Sequence, residues 1–158
     1  MWRRELQRFD MSRAYMAQAR LQTAYVPSAA VHWVLAPYDD TWLRDSGPVT
    51  LQNGQQFLLN DFRFTGWGGK FEASRDDQLV QALHEMKLFG KNGLQAHDFA
   101  LEGGAIEGDG CGTVMTTWHC LHQRHPDLDA QQLTAKLASM LHAKRVLILH
   151  HGELQGDD

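Results

Sequence analysis

Pro48-Val49-Thr50-Leu51-Gln52-Asn53-Gly54-Gln55-Gln56-Phe57-Leu58-Leu59-Asn60 reads as two short strands around a tight turn. Asn53-Gly54 tolerates the left-handed backbone of a two-residue hairpin, and the flanking runs Pro48 to Leu51 and Gln56 to Asn60 carry the apolar and β-branched residues of strands. Downstream, apolar spacing predicts a helix from about Asp76 to Phe89, capped by Ser74 or Asp76 and stopped by Gly90. Asp98 to Leu101 then supplies a third strand. The same order recurs: Ala105 to Glu107 and Thr113 to Thr117 flank the glycine-rich turn Gly108 to Gly112, a helix starts near Asp129 with Leu133, Leu137, Met140 and Leu141 on one face, and Val146 to Leu149 closes the unit. One ββαβ unit cannot bury its own apolar face, so the repeat implies modules stacked side by side or around an axis.

Upstream, Trp2, Leu6, Phe9, Tyr15 and Met16 among Arg and Gln predict a helix over Met1 to Ala24, broken near Asp10-Met11-Ser12. After Pro27-Ser28, Val31 to Leu35 reads as a buried strand and Pro37 to Asp40 as a turn. The 158 residues, 43% hydrophobic and 22% charged, suit a single ordinary globular domain. A net charge of -4 argues against nucleic acid as a partner and is compatible with cationic small molecules. Two cysteines, Cys111 and Cys120, are too few for a disulfide framework, and neither an apolar leader core nor a membrane-length run is present. A cytoplasmic protein with no membrane partner is expected.

Polar signatures fall at near-equal intervals along the modules: Arg44-Asp45, Glu102 and Gly156-Asp157-Asp158. Around a common axis, residues at equivalent junctions would converge on one site. In Asp40-Thr41-Trp42-Leu43-Arg44-Asp45-Ser46-Gly47-Pro48, an aromatic ring precedes a carboxylate by three positions. Together they suit a planar cation, since a carboxylate accepts two parallel N–H bonds while a ring faces the guanidinium plane. The plainer alternative is a turn with Trp42 in the core. His119-Cys120-Leu121-His122-Gln123-Arg124-His125 offers four metal-ligating side chains but no paired zinc spacing, which argues against a metal site. Cys120 beside His119 lacks the facing geometry of a nucleophile and its base, Gly66, Gly68 and Gly69 suit a turn better than a phosphate cradle, and His150-His151 suits a strand end.

The run Asp-Thr-Trp-x-Arg-Asp-x-Gly-Pro resembles the signature of the agmatine deiminase family, relatives of the Porphyromonas-type peptidylarginine deiminases. Other resemblances follow in order: Gly66-Trp67-Gly68-Gly69-Lys70, Leu101-Glu102-Gly103-Gly104-Ala105-Ile106-Glu107, Thr116-Thr117 through Cys120-Leu121 and Pro126, and Val146 to Gly152 leading into Gly156-Asp157-Asp158. The resemblance covers Tyr38 to Asp158. It implies the pentein fold, a five-bladed α/β propeller, of which about two complete ββαβ modules and an N-terminal helix and strand are present. The expected division of 1–158 is a partial first module over 1–46, modules over 47–102 and 103–150, and the start of a further segment over 151–158.

The family's reaction is attack of a cysteine thiolate on the guanidinium carbon, loss of ammonia after proton transfer from a histidine, and hydrolysis of the thiouronium intermediate. Agmatine yields N-carbamoylputrescine, on the way to putrescine. Asp45 matches the aspartate that binds guanidinium nitrogens, Glu102 the glutamate that pairs with the catalytic histidine, and Trp42 a pocket residue, with Trp67 near the same pocket. No cofactor or metal is implied, and the resemblance places His119 to His125 in a surface loop between strand and helix. The family's Thr-Asp-x-His-x-Asp and Gly-Gly-x-x-His-Cys segments are not in this sequence, so the chain is expected to be an internal piece, inactive alone, whose partners are agmatine and the rest of a deiminase chain. Exposed strand edges would favour self-association, so a homo-oligomer is a possible assembly. The alternatives are a peptidylarginine deiminase-like activity, a non-catalytic guanidinium- or amine-binding module, and a purely structural piece.

Overall fold

A computed structural model describes residues 33–151 continuously and positions 24, 25, 27, 29 and 31 before them. The N-terminal helix expected over Met1 to Ala24 and the segment from Gly152 through Gly156-Asp157-Asp158 lie outside the described residues, apart from Ala24. The chain divides into a unit over 1–35 and a second over 36–158. In the first, the strand expected at Val31 to Leu35 is not formed: Trp33, Val34 and Leu35 are non-strand and exposed. Strand backbone needs a neighbouring ladder to satisfy its N–H and C=O groups, and among the described residues this segment has none.

The second unit opens with a single helical turn, α1 (Leu43–Ser46), followed by β1 (Val49–Asn53) and β2 (Gln56–Arg63). Gly54 turns at φ +60, as the Asn-Gly pair requires, and β1 pairs antiparallel with β2 from Val49↔Asn60 to Asn53↔Gln56. Two short helices, α2 (Ser74–Asp77) and α3 (Leu79–Glu85), carry the chain back to β3 (Gly93–Ala100), which lies parallel to β2. The second sheet repeats this order: β4 (Ile106–Gly108) antiparallel to β5 (Thr113–Thr117), then α4 (Trp118–Arg124), α5 (Ala130–Met140) and β6 (Arg145–Leu149), parallel to β5. Two sheets of identical pairing establish the α/β class and the ββαβ repeat.

Several details differ from expectation. The helix read over Asp76 to Phe89 is split at Gln78 and ends at Glu85, because Lys87 turns at φ 61 and Met86 and Leu88 face solvent. Neither Ser74 nor Asp76 caps it. The N-cap is Ala73, with no side-chain bond, while buried Asp76 instead accepts the Asp39 and Asp40 amides at 2.9 and 3.0 Å. The third strand starts at Gly93, five residues earlier than read. His119 to Arg124 is helix rather than loop: the Thr117 hydroxyl caps the Cys120 amide and Leu121 is fully buried.

Within the second unit, core packing explains why the two ββαβ modules occur together. Phe62 and Phe99 from the first sheet, with Leu101 beyond β3, cluster with Leu121, Leu133, Leu137 and Leu141 from the second half. Leu133 and Leu137 lie four apart on α5, so one helix face meets the cluster, and Asp129 with Gln132 forms a full capping box that starts that helix. His125 ties the halves further, stacking on Phe99 at 3.8 Å between ring centroids with its Nε2 2.9 Å from the Ala100 carbonyl oxygen.

Candidate functional site

Strand pairing determines where the polar residues meet. Because β1 runs antiparallel to β2, the start of β1 lies at the same sheet edge as the end of β2, and parallel β3 ends there too. Asp45 precedes β1, Trp67 follows β2 and Glu102 follows β3. The second sheet delivers α4 from the end of β5 in the same manner.

Asp45, on α1, uses both carboxylate oxygens: Oδ1 accepts the Gly104 amide at 2.8 Å and Oδ2 accepts the Trp67 indole N–H at 3.1 Å. Its neighbour Arg44 donates from Nε to the Gly103 carbonyl at 3.1 Å. The glycine pair is a steric requirement. A Cβ at position 103 would sit 2.1 Å from the Arg44 carbonyl oxygen, and one at 104 would sit 2.3 Å from Asp45 Oδ1.

Trp67 reaches Asp45 from a turn over Gly66–Gly69, in which Trp67 itself adopts φ 58 and Gly68 φ 83. The Thr65 hydroxyl holds that turn by accepting the Gly68 amide at 3.1 Å, and Phe64 and Phe71 meet the indole edge-on at 5.1 and 5.8 Å. A left-handed non-glycine residue costs about 1–2 kcal/mol, which these contacts offset. Glu102 is buried, and its Oε1 accepts Arg124 Nε at 2.9 Å from the last residue of α4. The loop bearing Asp40 and Trp42 is anchored by Asp76 beneath it, and by Asp39, which accepts the Arg75 amide at 2.9 Å.

All four residues singled out from the sequence, Trp42, Asp45, Trp67 and Glu102, line one cavity of about 540 Å³ together with Asp40, Phe71, Gly104, Ala105, Cys120 and Arg124. Trp42 is 62% exposed, so it is a rim residue and not part of the core. A larger cavity of about 830 Å³ runs along β1 and β4 but includes none of the four. Size is the weaker guide here, because the smaller cavity gathers the convergent charged and aromatic groups. Three carboxylates against one guanidinium leave excess negative charge between aromatic walls, an arrangement that can hold a planar cation.

Sequence reasoning missed Arg124, Cys120, Phe71 and Asp40 as lining residues. Cys120 and Arg124 lie four apart on α4 and so share a face; the Thr117 cap followed by Pro126 is the signal that could have revealed that helix. Among the described residues no group of His, Cys, Asp and Glu could hold a metal ion, and no helix is long and apolar enough to cross a membrane.

The sequence model of the Porphyromonas-type peptidyl-arginine deiminases matches residues 4–158. A Selenomonas ruminantium protein named "Putative agmatine deiminase" is 35% identical over 88% of this chain and 39% of its own length. Among solved structures, substrate-bound C. jejuni agmatine deiminase superposes with a TM-score of 0.75 at 33% identity, covering 81% of this chain and 38% of that one. The agmatine deiminase of Enterococcus faecalis gives 0.67 at 33% identity, covering 74% and 34%. The chain thus spans well under half the length of the relatives it matches. With its ββαβ repeat and these matches together, the chain belongs to the agmatine deiminase and Porphyromonas-type peptidyl-arginine deiminase family.

Proposed function

We propose that this chain forms the guanidinium-binding part of an agmatine deiminase, whose reaction converts agmatine to N-carbamoylputrescine and ammonia through a cysteine thiouronium intermediate and so feeds putrescine formation. The observation that carries this reading is the convergence of Trp42, Asp45, Trp67 and Glu102 on one anionic, aromatic cavity. Asp45 receives the guanidinium nitrogens: each carboxylate oxygen already accepts one N–H and has a second lone pair to offer. Trp42 covers the cation's face at the rim, and Trp67 fixes the Asp45 rotamer. Glu102 is the carboxylate that would support an acid/base histidine during proton transfer. No histidine lines the cavity among the described residues, and Cys120, though at its wall, has no base there. Binding without turnover is therefore expected of this chain alone. The two cysteines are free thiols, which supports a reducing, cytoplasmic setting.

The family description also admits arginine within a peptide as the guanidine, and the 62% exposure of Trp42 leaves the rim open to a larger substrate. Calorimetric titration separates the readings. Agmatine is expected to bind at least about tenfold more tightly than putrescine, which lacks the guanidinium, and Asp45→Asn to abolish the preference. A blocked arginine peptide that outcompetes agmatine would favour the second substrate. Equal affinity for agmatine and putrescine, or ammonia release by this chain alone, would contradict the proposal.

A further inference from the structure

We infer that Arg124 is a positioning residue for the site: it fixes one oxygen of Glu102 and braces the turn that carries Trp67, leaving the second Glu102 oxygen for the reacting groups. The inference rests on the guanidinium reading of the cavity and extends it to a residue outside the motifs that suggested that reading. The Arg124 and Glu102 side chains are 6% and 5% exposed, so neither charge is stabilised by bulk water and each requires the other. Only Nε of Arg124 bonds the carboxylate, at Oε1. A fork-to-fork pair would occupy both oxygens; this single contact leaves Oε2 without a hydrogen bond among the described residues, on a cavity-lining side chain.

Nη1 of the guanidinium is constrained as well. Nη1 donates to the Gln123 side-chain oxygen, and it lies 3.1 Å from where a Cβ on Gly68 would stand. Gly68 follows Trp67, whose indole N–H bonds Asp45. One planar side chain thus touches the Glu102 carboxylate and packs against the turn that orients Asp45, a rigid link between the two acids of the cavity. A lysine would keep the charge and lose the geometry, since an ammonium on a flexible stem has neither the Nε–H direction nor the flat face.

The test compares Arg124→Lys, Arg124→Gln, Glu102→Gln and the Glu102→Gln/Arg124→Gln double variant in this chain, by melting temperature, by the Trp67 indole N–H resonance and by agmatine affinity. For Arg124→Lys, the melting temperature is expected to stay within about 4 °C of the parent. Its indole resonance should nevertheless move, and agmatine affinity should fall about tenfold. Arg124→Gln should weaken agmatine binding less in the Glu102→Gln background than it does alone, because only its contact with the Trp67 turn is then left to lose. An indole resonance unchanged in Arg124→Lys, or losses in the two Gln variants that simply add, would overturn the inference. Should the parent chain fail to bind agmatine, the guanidinium reading falls, while the indole resonance still decides whether Arg124 orders the Trp67 turn.

Discussion

The two sheets share one pairing scheme and differ in how the chain crosses from the second strand to the third. After β2 the chain forms a left-handed glycine turn and two short, uncapped helices; after β5 it forms the capped helix α4 and then α5, which has a capping box. Each crossover begins by placing a side chain in the same cavity, Trp67 in the first case and Arg124 in the second. The sheet topology therefore sets where functional groups arrive, and the local crossover sets which chemistry they bring. The first half trades helix regularity for a strained turn that aims an indole, whereas the second supplies most of the shared core.

Breaking the second half should therefore cost more than breaking the first. Leu137→Ala, at a fully buried position of α5, is expected to destabilise the chain by about 2–5 kcal/mol. Val80→Ala on α3, also buried but a smaller truncation outside the shared cluster, should cost less in the same chemical denaturation. Comparable losses would show that the two crossovers contribute equally.

Glycine substitutions sharpen the comparison at the site. Gly104→Ala places a methyl 2.3 Å from Asp45 Oδ1 and should lower agmatine affinity at least about tenfold by turning that carboxylate away. Gly54→Ala, at φ +60 in the hairpin with nothing within 4 Å, should cost about 1–2 kcal/mol of stability and leave affinity intact. Asp129→Ala, which removes the side-chain acceptor of the Gln132 amide and leaves the backbone half of the capping box in place, should cost about 1 kcal/mol, a loss with no counterpart at the uncapped start of α2.

The smallest effect concerns pH. In the first sheet, burial holds His97 below its ordinary 6.5, with Asp61 pulling the other way. His97 stacks on Phe62 and its Nε2 lies 2.8 Å from the Asn60 side-chain oxygen. Below 6.5 the unfolded chain binds more protons at this residue, so its contribution is complete above that pH and is lost as pH falls through the lowered folded value. Asp61 has the opposite sign: burial raises it, and its contribution declines as pH rises above 3.8. In the second sheet Asp109 is lowered, first by the Thr113 amide and then by that of Cys111, and loses its contribution as pH falls below 3.8. Between pH 8 and 5, His97→Gln should therefore lose about 1–2 °C less of melting temperature than the parent chain.

The strands and the Asn53-Gly54 hairpin were legible because turn chemistry and period-two patterning are local properties, and so was α5, whose cap and apolar face lie within a few residues. The ends of the first helix were not, since Leu83, Met86 and Leu88 continue an apolar rhythm whose later members end in solvent. Likewise Val31 to Leu35 has the composition of a buried strand, but composition does not supply a neighbouring ladder. At the site, the recognisable motifs led to Trp42, Asp45, Trp67 and Glu102. Arg124 and Phe71 were invisible because their roles depend on strand edges that bring distant positions together.

Cysteine alkylation offers the most direct measurement of the shared pocket, since Cys120 lies at its wall and exposed Cys111 lies outside it as an internal standard. With agmatine at ten times its dissociation constant, iodoacetamide is expected to modify Cys120 roughly tenfold more slowly while Cys111 reacts unchanged, and Asp45→Asn should erase the protection. Equal rates at Cys120 with and without agmatine, or protection that survives Asp45→Asn, would contradict a single guanidinium pocket built on that carboxylate.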